Sequence, residues 1–107
     1  MNNIINALNW RYATKSFDPA KKLSDEQLNT ILESMRLSAS SYGLQPWKFV
    51  VVSNPETRTA LRAAAWDQTQ VTDASAFVVL SVRTDVDAAY VDAYMKSIAD
   101  TRGMDVS

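Results

Sequence analysis

The stretch Leu37-Ser38-Ala39-Ser40-Ser41-Tyr42-Gly43-Leu44-Gln45-Pro46-Trp47-Lys48-Phe49-Val50-Val51-Val52-Ser53 decides how the rest of the chain is read. It opens small and polar, turns at Gly43, and ends as an apolar strand. A helical pattern runs into it and a valine-rich strand leaves it. Hydroxyl side chains on a constrained backbone suit a ligand that carries phosphates and hydroxyls. A plainer reading stands beside this one: a helix-to-strand connection, with Gly43 supplying a left-handed C-cap residue and Trp47 anchoring a core.

Outward from this stretch the elements follow from periodicity. Ile4, Ile5 and Leu8 share a helical face, so Asn3 to Asn9 is expected to be a short helix. Trp10 to Phe17 has no helical period and is expected to be irregular or extended. Asp18-Pro19 breaks any helix before it, because proline pushes the preceding residue out of the α region. Ser24-Asp25-Glu26-Gln27 fits a capping box, and Leu28, Ile31, Leu32 and Met35 continue the apolar face of a helix from about Asp25 to Leu37. Lys48 to Ser53 is expected to be a strand buried on both faces. Asn54-Pro55 starts another helix, with Asn as N-cap and Pro in its first turn. A polar connection, Trp66 to Thr72, leads to a second buried strand, Ala76 to Val82. Asp85 is expected to cap a last helix that carries Val86, Tyr90, Tyr94 and Ile98 on one face and ends at Arg102-Gly103.

Composition narrows the chemistry. Among 107 residues there are 11 basic and 12 acidic side chains. That balance argues against a nucleic-acid or membrane-surface partner. Without cysteine or histidine there is no disulfide framework, no thiol or Ser–His–Asp catalysis, and no ordinary zinc site. Asp85, Asp87 and Asp92 match no calcium loop and are assigned to helix-start charge and a solvated face. No metal ligand and no catalytic side chain is expected. Two glycines cannot build a Gly-rich phosphate loop, so a bound nucleotide would depend on side chains. Met1 to Asn9 contains Asn2, Asn3 and Asn6 and cannot serve as a signal h-region, and no apolar run is long enough to span a membrane. A cytoplasmic location is expected.

Three polar constellations remain. Arg11 and Lys15 could grip a phosphate, or form a solvated face. Ser40, Ser41 and Gly43 could contact a ligand, cap a helix, or do both. Asp67, Gln68 and Gln70 could hydrogen-bond a ligand or make a solvated turn. Two strands alone make a poor sheet, so further strands that these 107 residues do not supply are expected, from a continuation of the chain or from a partner.

Arg11-Tyr12-Ala13-Thr14-Lys15-Ser16-Phe17-Asp18 resembles the N-terminal flavin signature of the FMN-dependent nitroreductase family. Ser40-Ser41-Tyr42-Gly43-Leu44-Gln45-Pro46-Trp47 resembles its SS-x-x-x-QPW segment, and Trp66 to Gln70 falls where that family has a third FMN-contacting region. The resemblance implies an α+β fold, a three-layer nitroreductase-like sandwich with helices around a central mixed β-sheet. Residues 1–107 would be the N-terminal half of a single such domain. It implies an NAD(P)H oxidoreductase of nitroreductase or quinone reductase type, passing hydride by a ping-pong route through FMN. The donor would be NADH or NADPH and the acceptor a nitroaromatic or quinone. It implies a homodimer with FMN at the interface. The cofactor-binding residues would be Arg11, Tyr12, Ala13, Lys15, Ala39, Ser40, Ser41, Gly43, Asp67 and Gln70. Arg11 would meet the phosphate and Lys15 the ribityl chain and the N1/C2=O edge. Ser40, Ser41 and Gly43 would reach the partner's FMN, and Asp67 and Gln70 would lie near the ribityl and pyrimidine edge. The pattern departs from the family at Ala13, where serine is common, at Gly43, where some members have asparagine, and at Asp67, where asparagine is usual. The family's Pro-x-Glu region and C-terminal basic clamp fall beyond Ser107. The alternative is a non-catalytic dimerising or flavin-binding fragment that lacks the second half of the active site.

Overall fold

Local signals set most element boundaries. The computed structural model describes residues 2–105; Met1, Val106 and Ser107, the ends of the expected 1–107 domain, lie outside the described residues. The elements are α1 (Asn2–Trp10), α2 (Asp25–Arg36), β1 (Trp47–Val52), α3 (Pro55–Ala64), α4 (Gln70–Asp73), β2 (Phe77–Val82) and α5 (Ala88–Arg102), with a 3-10 turn at Ser41–Gly43. The chain divides into two compact units, one made of residues 1–23 and 53–77 and the other of residues 24–52 and 78–107.

In the first unit, α1 ends at Trp10 and the chain then runs to Pro19 without a regular element. Asn54 caps α3, its Oδ1 accepting the Thr57 N–H at 2.8 Å, and Pro55 opens the helix. The polar connection after α3 is not all loop: Gln70–Asp73 forms the single turn α4. Arg58, on α3, is buried with 7% exposure and donates from Nε to the Val71 carbonyl (2.8 Å) and from Nη2 to the Ala74 carbonyl (2.5 Å). These bonds satisfy carbonyls in and just after α4, and so tie that turn to α3.

In the second unit the capping box forms as its sequence requires: Gln27 N–H donates to Ser24 Oγ (3.1 Å), and Ser24 N–H to Gln27 Oε1 (2.9 Å). Strands β1 and β2 pair in a two-stranded sheet. Arg83 N–H donates to the Pro46 carbonyl and Ser81 Oγ–H to the Lys48 carbonyl, which sets an antiparallel register. Gly103 ends α5 in the left-handed conformation, at φ 64°.

Four expectations need correction. The strands are not buried on both faces: Val50 and Val51 are about two-fifths exposed, Leu80 is 68% exposed and Val82 80%. A two-stranded sheet has little to bury its faces against, whatever its valine content. Asp85 does not cap α5. Asp87 does, accepting the Tyr90 N–H at 2.9 Å, while Asp85 takes two bonds from the Arg83 guanidinium. Gly43 is left-handed but is not the C-cap of α2, which ends at Leu37 in right-handed geometry. Trp47 is half-buried rather than fully in a core, its ring 5.8 Å from that of Phe49.

Candidate functional site

Each polar constellation has its own local frame. Arg11, Tyr12, Ala13 and Lys15 lie on the irregular segment after α1, and all four are exposed. Among the described residues no carboxylate lies within ion-pair distance of Arg11 or Lys15. Their cationic heads are therefore available to an anionic group.

Asp67 and Gln70 belong to the turn that follows α3. Trp66 and Asp67 both adopt left-handed backbone, at φ 55° and 56°. The turn is held by Arg62, whose Nε donates to Asp67 Oδ1 at 2.8 Å, while the Asp67 N–H donates back to the Arg62 carbonyl at 3.0 Å. Arg62 Nη1 also donates to Thr72 Oγ1 at 3.3 Å. The carboxylate of Asp67 is thus spoken for by a guanidinium on α3. No hydrogen bond or ion pair among the described residues joins Arg11 or Lys15 to Asp67 or Gln70.

Ala39, Ser40, Ser41 and Gly43 lie in the second unit, between α2 and β1. Ser40 is half-buried and its Oγ accepts the Gln45 N–H at 3.0 Å, which leaves its own hydroxyl proton free to donate outward. Tyr42 (φ 53°), Gly43 (φ 68°) and Gln45 (φ 48°) are all left-handed. Gln45 Nε2 donates to the Arg36 carbonyl at the end of α2. Gly43 is needed for a second reason: a Cβ there would sit 2.5 Å from the Tyr94 hydroxyl.

All four non-glycine residues with left-handed backbone among the described residues, Tyr42, Gln45, Trp66 and Asp67, fall in or beside these two polar stretches. Left-handed backbone costs a non-glycine residue about 1 kcal/mol, so it persists where surrounding bonds impose it, and it concentrates at functional sites. Sequence reasoning missed the side chains that bond to these turns: Arg62 to the Asp67 carboxylate, Tyr94 to the Tyr42 carbonyl and Tyr90 to the Leu44 carbonyl. Arg62 was hidden among ordinary helix-surface charges. Tyr90 and Tyr94 read as an apolar helix face, although a tyrosine at such a position also needs a partner for its hydroxyl.

Against this geometry the comparisons are decisive. The family model described as the nitroreductase family matches residues 8–102. The chain belongs to the nitroreductase family. A Bacillus subtilis protein named as a candidate NAD(P)H nitroreductase, YfkO, is 53% identical over 94 residues, covering 87% of this chain and 42% of its own length. A Staphylococcus epidermidis protein similarly named, SERP2086, is 56% identical over 86 residues, covering 79% of this chain and 39% of its own. Among solved structures, a nitroreductase-like protein from Streptococcus mutans superposes with a TM-score of 0.78 at 29% identity, over 99% of this chain and 50% of that one. The nitroreductase chain thus spans about half the length, or less, of these relatives, and its fold class is α+β.

Proposed function

We propose that this chain is the N-terminal half of a single-domain FMN-dependent NAD(P)H oxidoreductase of the nitroreductase type. The observation that carries the reading is the family match over residues 8–102, a span that holds two cations, Arg11 and Lys15, with no carboxylate partner among the described residues. The donor set fits FMN: cations for a phosphate, Ser40 and Ser41 hydroxyls and the Gly43 backbone for a polyhydroxylated chain, and the amide of Gln70 for a polar ring edge. When bound, FMN would supply the hydride acceptance and donation that no side chain of this protein can supply. Arg11 would hold the phosphate beside Tyr12 and Ala13. Lys15 would place a fixed positive charge where electron-rich ring atoms gain charge. Asp67 would reach the site as one half of an ion pair, so its carboxylate would oppose reduction less than a bare carboxylate would. Ser40, Ser41 and Gly43, next to Ala39, would serve the cofactor across a homodimer interface. NADH or NADPH would be the donor and a nitroaromatic or quinone the acceptor, in alternation. Action in the cytoplasm belongs to the same proposal; no helix among the described residues is long and apolar enough to cross a membrane.

The test is a titration of the purified chain with FMN, followed by flavin fluorescence, and then an assay of NAD(P)H oxidation with a quinone. Uptake of FMN that Arg11→Ala and Lys15→Ala each weaken is expected. A chain that takes up no FMN at any concentration overturns the reading. A second reading, a dimerising module without catalysis, is favoured by the exposed apolar side chains of α1, Ile4, Ile5 and Leu8. A folded dimer of unchanged size and no activity with or without FMN would select it.

A further inference from the structure

We infer that Tyr90 and Tyr94, one helical turn apart on α5, are positioning residues that hold the Ser40–Gln45 turn in its ligand-presenting form. The inference rests on the flavin reading for what the turn presents, and on the bonding of the turn for how it is held. The turn satisfies part of its own backbone: Gly43 N–H donates to the Ser40 carbonyl and Leu44 N–H to the Ser41 carbonyl. The carbonyls of Tyr42 and Leu44 are left over. Tyr94 Oη–H donates to the first at 2.9 Å and Tyr90 Oη–H to the second at 2.5 Å. Residues four apart on a helix project to the same side, so α5 delivers both hydroxyls to one segment.

The two carbonyls so held flank Gly43, and both Tyr42 and Gly43 are left-handed. A free chain would leave that conformation at Tyr42; an external donor to the Tyr42 carbonyl opposes the escape. Contact with Tyr94 also closes the space beside Gly43. The Tyr90 ring is itself braced by the Arg83 guanidinium, 4.8 Å from its centre. Ser40, Ser41 and Gly43 therefore owe their presentation to side chains some fifty residues downstream that need not touch the ligand themselves.

The experiment compares the full chain with Tyr90→Phe, Tyr94→Phe and the double variant, using FMN as the probe. Ser24→Ala serves as a control that weakens the α2 cap without touching the turn. Amide exchange at residues 41–45 should rise in the tyrosine variants, with α2 and β1 unchanged. FMN affinity should fall about fivefold for each lost hydroxyl, as expected for a hydrogen bond worth about 1 kcal/mol. The absorbance band of the bound flavin should shift, whereas the control leaves band and affinity unchanged. Unchanged exchange in the double variant overturns the inference. So does raised exchange with unaltered FMN affinity, or a control that loses affinity equally. If the unsubstituted chain binds no FMN, the flavin reading fails and takes the ligand-presenting role with it; the exchange measurement then still separates that failure from a failure of the tyrosine bonds.

Discussion

Arg58 is a buried cation bonded to carbonyls rather than to a carboxylate. Hydrogen bonds from a charged donor are stronger than neutral ones, and removing the donor strands the acceptors. Arg58→Met, which keeps much of the apolar stem, should lower stability by about 3 kcal/mol, read from denaturant unfolding. Arg58→Lys should recover less than half of that, because one ammonium cannot reproduce a planar fork that spans Val71 and Ala74. The two glycines give a second comparison at this scale. Both have φ above 60°, but a Cβ at Gly43 meets the Tyr94 hydroxyl while one at Gly103 meets nothing within 4 Å. Gly103→Ala should cost about 1 kcal/mol from backbone strain alone. Gly43→Ala should cost more, and in a Tyr94→Phe background the excess should shrink. Thermal unfolding of the four proteins would show whether the hydroxyl contact is the source.

Helix ends were the most legible elements because their causes lie within four residues. Ser24–Gln27 and Asn54-Pro55 each cap the helix that their sequence indicates. The start of α5 shows the limit of such reading. Asp85 and Asp87 are both plausible caps, and Arg83 decides between them by drawing Asp85 into an ion pair. Asp87→Ala should therefore cost about 1 kcal/mol of stability, and Asp85→Ala clearly less, a difference that denaturant titration can resolve. The same pair sets a pH expectation. The hydrogen bond from Arg83 holds the Asp85 carboxyl below its ordinary value, and Glu33 is lowered likewise by its hydrogen bond from Arg36. A carboxyl depressed in the folded state stabilises above its unfolded pKa and loses that stabilisation as protons bind. Both contributions should thus be whole at neutral pH and fade as the pH drops below about 4. Removing both carboxylates should flatten that part of the acid limb of a stability-versus-pH curve, by a small amount, since both pairs are exposed.

At the scale of the whole molecule, burial is thin. Among the described residues only Val71, Ala99 and Arg58 count as buried, while Ile4, Ile5, Leu8, Leu80 and Val82 are well exposed. Exposed apolar side chains on a strand invite pairing with other chains. Leu80→Lys combined with Val82→Lys should shift the chain toward smaller species in size-exclusion chromatography without altering its far-ultraviolet dichroism. An unchanged elution profile would mean that these side chains take no part in self-association. The valine runs at Val50–Val52 and Val78–Val79 signalled two strands correctly, but not what covers them. The relatives reported above are about twice as long as this chain.

The sequence alone determined what depends on near neighbours: five of the helix and strand starts to within one residue, the irregular stretch expected over Trp10 to Phe17 except for Trp10, which closes α1, and the family, which the match over residues 8–102 shows. Tertiary structure alone decided which side chains enforce the turns. Arg62 holds Asp67, Arg58 holds the carbonyls of Val71 and Ala74, and Tyr90 and Tyr94 reach the carbonyls of Leu44 and Tyr42 across 46 and 52 positions. Periodicity records which side of a helix is apolar, but a hydroxyl or guanidinium at its tip bonds whatever carbonyl the fold brings within reach. The stretch from Leu37 to Ser53 shows both parts: its residue types announced a polar turn before a strand, and the left-handed form of that turn is set by two tyrosines that no local pattern could have named.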